Sequence, residues 1–198
     1  MTLQSFIFIG RYGAGKGTQA KLLLEVLAKK DPAHGTVYVE TGAEFRKFGQ
    51  EKSFTAQLTK KCIDQGLLMP EYMCVYVWNR CLVDKYTGNE HIVFDGTPRK
   101  LLEAQALESL FPFYNLPKPY IIYLDVHHEE SIQRLKIRNQ GRADDTAEAI
   151  ERRKAAYEAD VVPTIEWYRK NSNVIFLDID GVRPIDEIHQ DIVKRVGL

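Results

Sequence analysis

The chain of 198 residues is short of charge imbalance, of long apolar runs and of cysteine. Its 27 Lys and Arg residues are matched by 27 Asp and Glu. A neutral total supplies no long-range field to recruit nucleic acid or an acidic bilayer, so neither is an expected partner. Near the start the apolar stretch is Phe6 to Ile9, without a basic flank. That is too short for a signal peptide or a membrane span, and no later run approaches the required length. The cysteines, Cys62, Cys74 and Cys81, are odd in number and lack metal-ligand spacing. Cys74 and Cys81 fall in an apolar pattern and read as core thiols. A disulfide scaffold and a zinc module are therefore excluded, and a reducing, cytoplasmic setting is expected.

What is present is an alternation of strand and helix signals. Ser5–Ile9, Val37–Glu40, His91–Phe94, Pro119–Leu124 and Asn173–Leu177 are short apolar runs of strand type. Amphipathic helices are predicted over Gly15–Lys30, Pro70–Lys85, Arg99–Leu110, Glu129–Asn139 and Pro184–Val196. A long helix is predicted after Asp145, with Asp145 and Glu148 as a capping box and a break at Pro163. Continuous apolar strands between helices imply an α/β fold: a five-stranded parallel sheet with helices on both faces. The functional edge is then the one formed by the strand C-terminal ends. Thr41–Gly66 departs from the alternation and reads as two helices.

The strongest local signal is Gly10-Arg11-Tyr12-Gly13-Ala14-Gly15-Lys16-Gly17-Thr18, between a predicted strand and a predicted helix. Glycines let backbone N–H groups approach phosphate oxygens, the helix N-terminus adds its dipole, and Lys16 adds a point charge. This is a phosphate loop. Gly17 stands where the general pattern has Ser or Thr, and Thr18 follows it. No Asn-Lys-x-Asp base-reading motif accompanies it, which argues against a GTPase.

The Gly-Lys-Gly-Thr variant, continued by Gln19-Ala20, resembles the adenylate kinase family. Four further segments are similar to adenylate and uridylate/cytidylate kinases in the same order: Thr41-Gly42 with Arg46, Gly66-Leu67-Leu68-Met69-Pro70, Asp95-Gly96-Thr97-Pro98-Arg99, and Gly141-Arg142-Ala143-Asp144-Asp145 with Arg153. The resemblance implies a nucleoside monophosphate kinase with a core of residues 1–39 and 70–198, a monophosphate-binding insert of 40–69 and a short lid of 138–145. It implies ATP at Gly13, Ala14, Gly15, Lys16, Gly17 and Thr18, with Arg134 beside the donor adenine. The acceptor would meet Thr41, Gly42, Arg46, Met69, Arg99 and Glu103. Arg99, Arg138, Arg142 and Arg153 would hold phosphates, since phosphoryl transfer spreads charge that arginines stabilise. Mg²⁺ would arrive with ATP, through phosphates and waters ordered by Asp95 and Thr18, with no direct protein ligand and no structural metal. The expected partners are nucleotides, and the expected state is a monomer.

The departures from the family pattern gather at the acceptor side. Glu40 stands for Ser, Ala43 for an acidic residue, Tyr12 for Pro in the loop, and Thr97 for Phe. Glu103 stands where adenylate kinases have Gln and uridylate/cytidylate kinases have Asn. An ionised carboxylate accepts hydrogen bonds and donates none, which suits guanine N1–H and N2–H₂ better than adenine. Gln105 is turned about 200° away along the helix and cannot substitute. AMP remains the first expectation for the acceptor, with GMP and pyrimidine monophosphates as alternatives, and a surface position for Glu103 as a further one. Two rival functions stand beside these. A nucleotide-binding module without turnover has no need of three phosphate arginines. A kinase for a non-nucleotide hydroxyl usually carries Lys-Ser or Lys-Thr.

Overall fold

The computed structural model describes residues 2–138 and 147–198. The apolar runs form β1 (Ser5–Gly10), β2 (Gly35–Glu40), β3 (Glu90–Asp95), β4 (Tyr120–Asp125) and β5 (Ile175–Asp180). All pairings are parallel, in the order β2-β3-β1-β4-β5. Helices are α1 (Lys16–Lys30), α2 (Thr41–Phe48), α3 (Phe54–Asp64), α4 (Glu71–Lys85), α5 (Leu101–Glu108), α6 (Leu110–Phe113), α7 (His128–Arg138), α8 (Ala147–Ala156), α9 (Val162–Lys170) and α10 (Ile185–Val196).

The inner strands β1, β3 and β4 are buried on both faces, which is why they read as unbroken apolar runs. Alternate residues of β1 feed opposite layers. Phe6 and Phe8 pack with Leu23 and Leu27 of α1 and Ile188 and Ile192 of α10. Ile7 and Ile9 pack with Trp78 and Leu82 of α4, Leu107 of α5 and Ile165 and Tyr168 of α9. A smaller cluster joins Phe45 of α2 to Met73, Cys74 and Val77 of α4. Cys74 and Cys81 are buried free thiols, and Cys62 is half-buried and free. Among the described residues no helix is long and apolar enough to cross a membrane.

Several boundaries differ from the sequence expectations, each for a local reason. Pro70 is the residue before α4, not its first helical residue. The segment Arg99–Leu110 divides, with α5 beginning at Leu101 and α6 following Ser109. The break expected at Pro163 lies upstream, as a π-helical turn over Tyr157–Val161 in which the Val162 N–H bonds to the Tyr157 carbonyl. Pro163 then falls in the first turn of α9, where its missing N–H is not needed. β5 starts two residues after the predicted Asn173. The Asn173 N–H bonds to Asn171 Oδ1, and both Asn amides bond to Glu108, so this stretch is a side-chain-held turn. The capping box at Asp145 lies outside the described residues.

Asp31, His34 and His91 cluster at the opposite edge of the sheet from the phosphate loop. The Gln4 N–H donates to His91 Nδ1 at 3.0 Å, so Nε2 carries the ring proton and faces Asp31 Oδ2 at 3.2 Å. Both ring nitrogens of His91 are thus engaged, and His91 ties β3 to the end of α1.

Candidate active site

β1 ends at Gly10 and the chain turns through residues 11–15 into α1. Gly13 has φ of +72°, and a Cβ there would lie 2.6 Å from the Ser131 carbonyl oxygen, so glycine is required twice over. The Ser131 hydroxyl donates to the Tyr12 carbonyl, and Tyr12 Oη lies 3.0 Å from His128 Nδ1. The Arg11 guanidinium lies 3.9 Å over the Tyr157 ring. Where the family pattern has proline, this loop is held by side chains of α7 and of the π-helical turn.

α1 opens without a side-chain cap and without an acidic residue in its first turn. Its first-turn N–H groups and dipole therefore make an anion site at the mouth of the loop. Lys16 Nζ donates to the Gly10 and Arg11 carbonyls at 2.9 and 2.7 Å, which holds the ammonium across the loop. Gly17 has a steric explanation: a Cβ there would lie 3.1 Å from Asp95 Oδ2. Asp95 ends β3, buried, and accepts from the Tyr38 hydroxyl at 3.3 Å. Burial raises the Asp95 pKa above the ordinary carboxylate value; the Lys16 charge draws it back, while Glu40 pushes it up.

A single cavity of ≈ 660 Å³ runs from this loop to α2. It is lined by Lys16, Thr18, Asp95 and Arg99. Thr41, Gly42, Arg46, Met69, Glu103, Arg134 and Arg153 line it as well. Gly13, Ala14, Gly15 and Gly17 complete the loop wall. Thr41 lines the cavity and is buried, and its hydroxyl finds no hydrogen-bond partner among the described residues. Arg138 ends α7, with its side chain outside the described residues, and Arg142 lies outside them altogether.

Glu103 is not a surface residue: it is 1% exposed. Its Oε2 accepts from the Arg99 N–H at 2.9 Å and faces the Thr97 hydroxyl at 3.4 Å, which ties the strand-end turn to α5. Burial raises its pKa, opposed by the Arg99 N–H and the Cys74 thiol. Gln105 is exposed, as the helical turn angle requires.

Two contributors, Tyr38 and Arg183, escaped the sequence reading, and a third, Glu40, stood there only as a departure from the family pattern. Tyr38 and Glu40 sit at the end of β2 around Asp95 and Arg46, and their signal was the pairing of β2 with β3, which topology alone supplies. Arg183 lines the cavity from the turn after β5, next to Val182, whose carbonyl accepts from Arg134. Ending β5 at Leu177 left this turn too far along the chain to read as a strand-end loop.

A phosphate loop on the central strand of a parallel sheet, facing a two-helix insert across one cavity, defines the phosphate-loop nucleoside monophosphate kinase fold. Residues 8–173 match the family model described as adenylate kinase. The chain is 30% identical over 194 residues to an adenylate kinase of Phocaeicola vulgatus, covering 97% of each chain. It is 33% identical over 188 residues to one of a Cyanothece species, covering 94% of this chain and 91% of that one. An adenylate kinase of Azobacteroides pseudotrichonymphae is 30% identical over 189 residues, 94% of each chain. The chain belongs to the adenylate kinase family and is a phosphotransferase.

Proposed function

We propose that the chain transfers the γ-phosphoryl group of ATP to AMP, giving two molecules of ADP. The observation that carries this reading is the continuity of the cavity, which joins the phosphate loop to Arg46 with Lys16, Asp95 and Arg99 along it. The donor's β- and γ-phosphates lie over the α1 N-terminus and Lys16. Arg134 and Arg183 flank the donor base. Arg46 holds the acceptor phosphate at α2, while Thr41, Met69 and Glu103 surround the acceptor base. Arg99 reaches both phosphates, and Arg153, with Arg138 and Arg142, closes over the transferring group. Each guanidinium meets charge that develops on equatorial oxygens in the transition state.

The Asp95 carboxylate and the Thr18 hydroxyl are hard oxygen donors beside the phosphate position, so they fit an ATP-bound Mg²⁺ and would hold it through its waters. That ion would supply charge neutralisation on the donor phosphates. Residues 40–69 and 138–145 act as insert and lid, excluding water so that ATP is not hydrolysed in place of transfer. The reading is of a monomer acting in the cytoplasm on free nucleotides.

A coupled phosphotransfer assay with ATP against AMP, GMP, CMP, UMP and dTMP tests it. AMP should show the highest kcat/KM. A larger value for any other acceptor overturns the choice of base, and no transfer to any overturns the reaction.

A further inference from the structure

Glu40 closes β2 and is the in-register neighbour of Asp95 at the C-terminal end of β3. It is also the N-cap residue of α2, yet its side chain does not cap that helix. It reaches six residues along to Arg46 instead, with Arg46 Nη2 donating to Glu40 Oε1 at 3.1 Å. Arg46 is folded back over the first turn of its own helix: a Cβ on Gly42 would lie 3.2 Å from Arg46 Nη1. A cation in that position opposes the positive end of the helix dipole and needs an anion beside it. Arg46 and the start of α2 together form an anion site that opens on the cavity, and the protein fills it with its own carboxylate.

We propose that Glu40 is an internal stand-in for the acceptor's phosphate, a specificity-determining residue that pairs with Arg46 and that only a nucleotide's dianionic phosphate displaces efficiently. This rests on the reading of Arg46 as the acceptor-phosphate ligand. A phosphate monoester brings nearly two charges and three acceptor oxygens, enough for a bidentate guanidinium contact. A carboxylate brings one charge. The exchange therefore favours the phosphate, but by less than it would if the site were open. Both side chains are half-exposed, so the pair itself is of modest strength. Once displaced, Glu40 remains beside the incoming anion and beside Asp95, and that repulsion sets a threshold that a ligand held by its nucleoside as well as its phosphate can pass. A monoanionic ligand without a nucleoside to anchor it gains too little to hold the exchange.

The test is calorimetric binding of AMP, adenosine and inorganic phosphate to the wild-type chain, Glu40→Gln, Glu40→Ser and Arg46→Ala. Removing the carboxylate should tighten AMP by about threefold to tenfold, the range of a modest ion pair plus lost repulsion. Inorganic phosphate should gain at least as much, while adenosine, which lacks the phosphate, keeps its wild-type affinity in both Glu40 variants. Unchanged or weaker AMP binding in both, with Arg46→Ala still losing AMP selectively over adenosine, overturns the proposal and leaves the Arg46 reading intact. Equal losses of AMP and adenosine in Arg46→Ala overturn the Arg46 reading itself. A Glu40→Gln variant that folds poorly does not decide the matter, because Glu40→Ser carries the same prediction through a smaller side chain.

Discussion

The two ends of the cavity are built to different tolerances. At the donor end Gly13 meets the Ser131 carbonyl, Lys16 is held by two loop carbonyls, and the loop rests on β1 in the middle of the sheet. At the acceptor end α2 and α3 rest on the satellite cluster around Phe45, and α3 leaves Phe54 74% and Leu58 51% exposed. A loop that must aim several N–H groups at phosphate tolerates little movement. On the proposed reading the acceptor wall folds over a second nucleotide and releases it, a motion that suits a weakly packed element. Different failures are therefore expected when each end is cut.

Stability gives the largest separation. Phe6 is fully buried in the layer under α1 and α10, with its ring stacked on Tyr120 at 5.5 Å. Phe6→Ala should cost about 4–5 kcal/mol, the upper range for a Phe deletion in a core that cannot collapse. Phe45→Ala, in the satellite cluster, should cost about 3 kcal/mol or less, because α2 can settle onto α4. Urea unfolding of both variants decides it; equal costs would mean that the insert is as firmly built as the core.

Catalysis comes next. Lys16→Ala and Arg99→Ala should each lower kcat by roughly two or more decades, because both groups act on transition-state charge. Steady-state kinetics at saturating ATP and AMP reads this directly. A near-normal kcat in either variant would remove that residue from the proposed mechanism.

The same asymmetry explains what was legible in the sequence. The phosphate loop is a local device, so Gly13, Gly15 and Lys16 are fixed by contiguous residues and a strand-to-helix context. The parallel sheet was legible because burial on both faces leaves long apolar runs, as in residues 5–9. The acceptor side was less so, since its contacts come from topology. Asp95 was legible as a strand-end acid, but its neighbours Tyr38 and Glu40 follow from the pairing of β2 with β3. Glu103 stood out as a departure from the family pattern. Its hold on the Arg99 N–H needed the turn geometry, because the same residue on an exposed helix face would read identically.

Glu103 allows a finer cut at the acceptor end. Burial raises its pKa, against the pull of the Arg99 N–H, the Cys74 thiol and the charges of Arg99 and Lys100. A protonated carboxyl offers one donor and one acceptor, as an amide does, and so suits adenine; an ionised one does not. Glu103→Gln should therefore raise the AMP-over-GMP ratio of kcat/KM by about tenfold or more at alkaline pH, roughly 1.4 kcal/mol, with a smaller gain toward acid. A ratio unmoved at every pH would show that the base is read elsewhere. The linkage sign follows: the folded pKa lies above the unfolded one, so the folded state binds more protons between them. Stability should fall as pH rises from about 4.3 through the folded pKa, and the variant should lack that slope.

The smallest effect tests whether the insert can loosen by itself. Ser53 is the N-cap of α3, its hydroxyl oxygen accepting from the Ala56 N–H at 3.1 Å. It touches the helix backbone at the end of the molecule least anchored to the sheet. Ser53→Ala leaves an N-terminal donor to water and should cost about 1 kcal/mol. If α3 opens as a local unit, that loss appears as roughly fivefold faster amide exchange within Phe54–Asp64, while β1 amides keep their wild-type protection. If insert and core open only together, the amides of β1 and α3 accelerate by the same factor. Hydrogen exchange read residue by residue separates the two outcomes, and equal acceleration would end the comparison of a firm donor end with a compliant acceptor end.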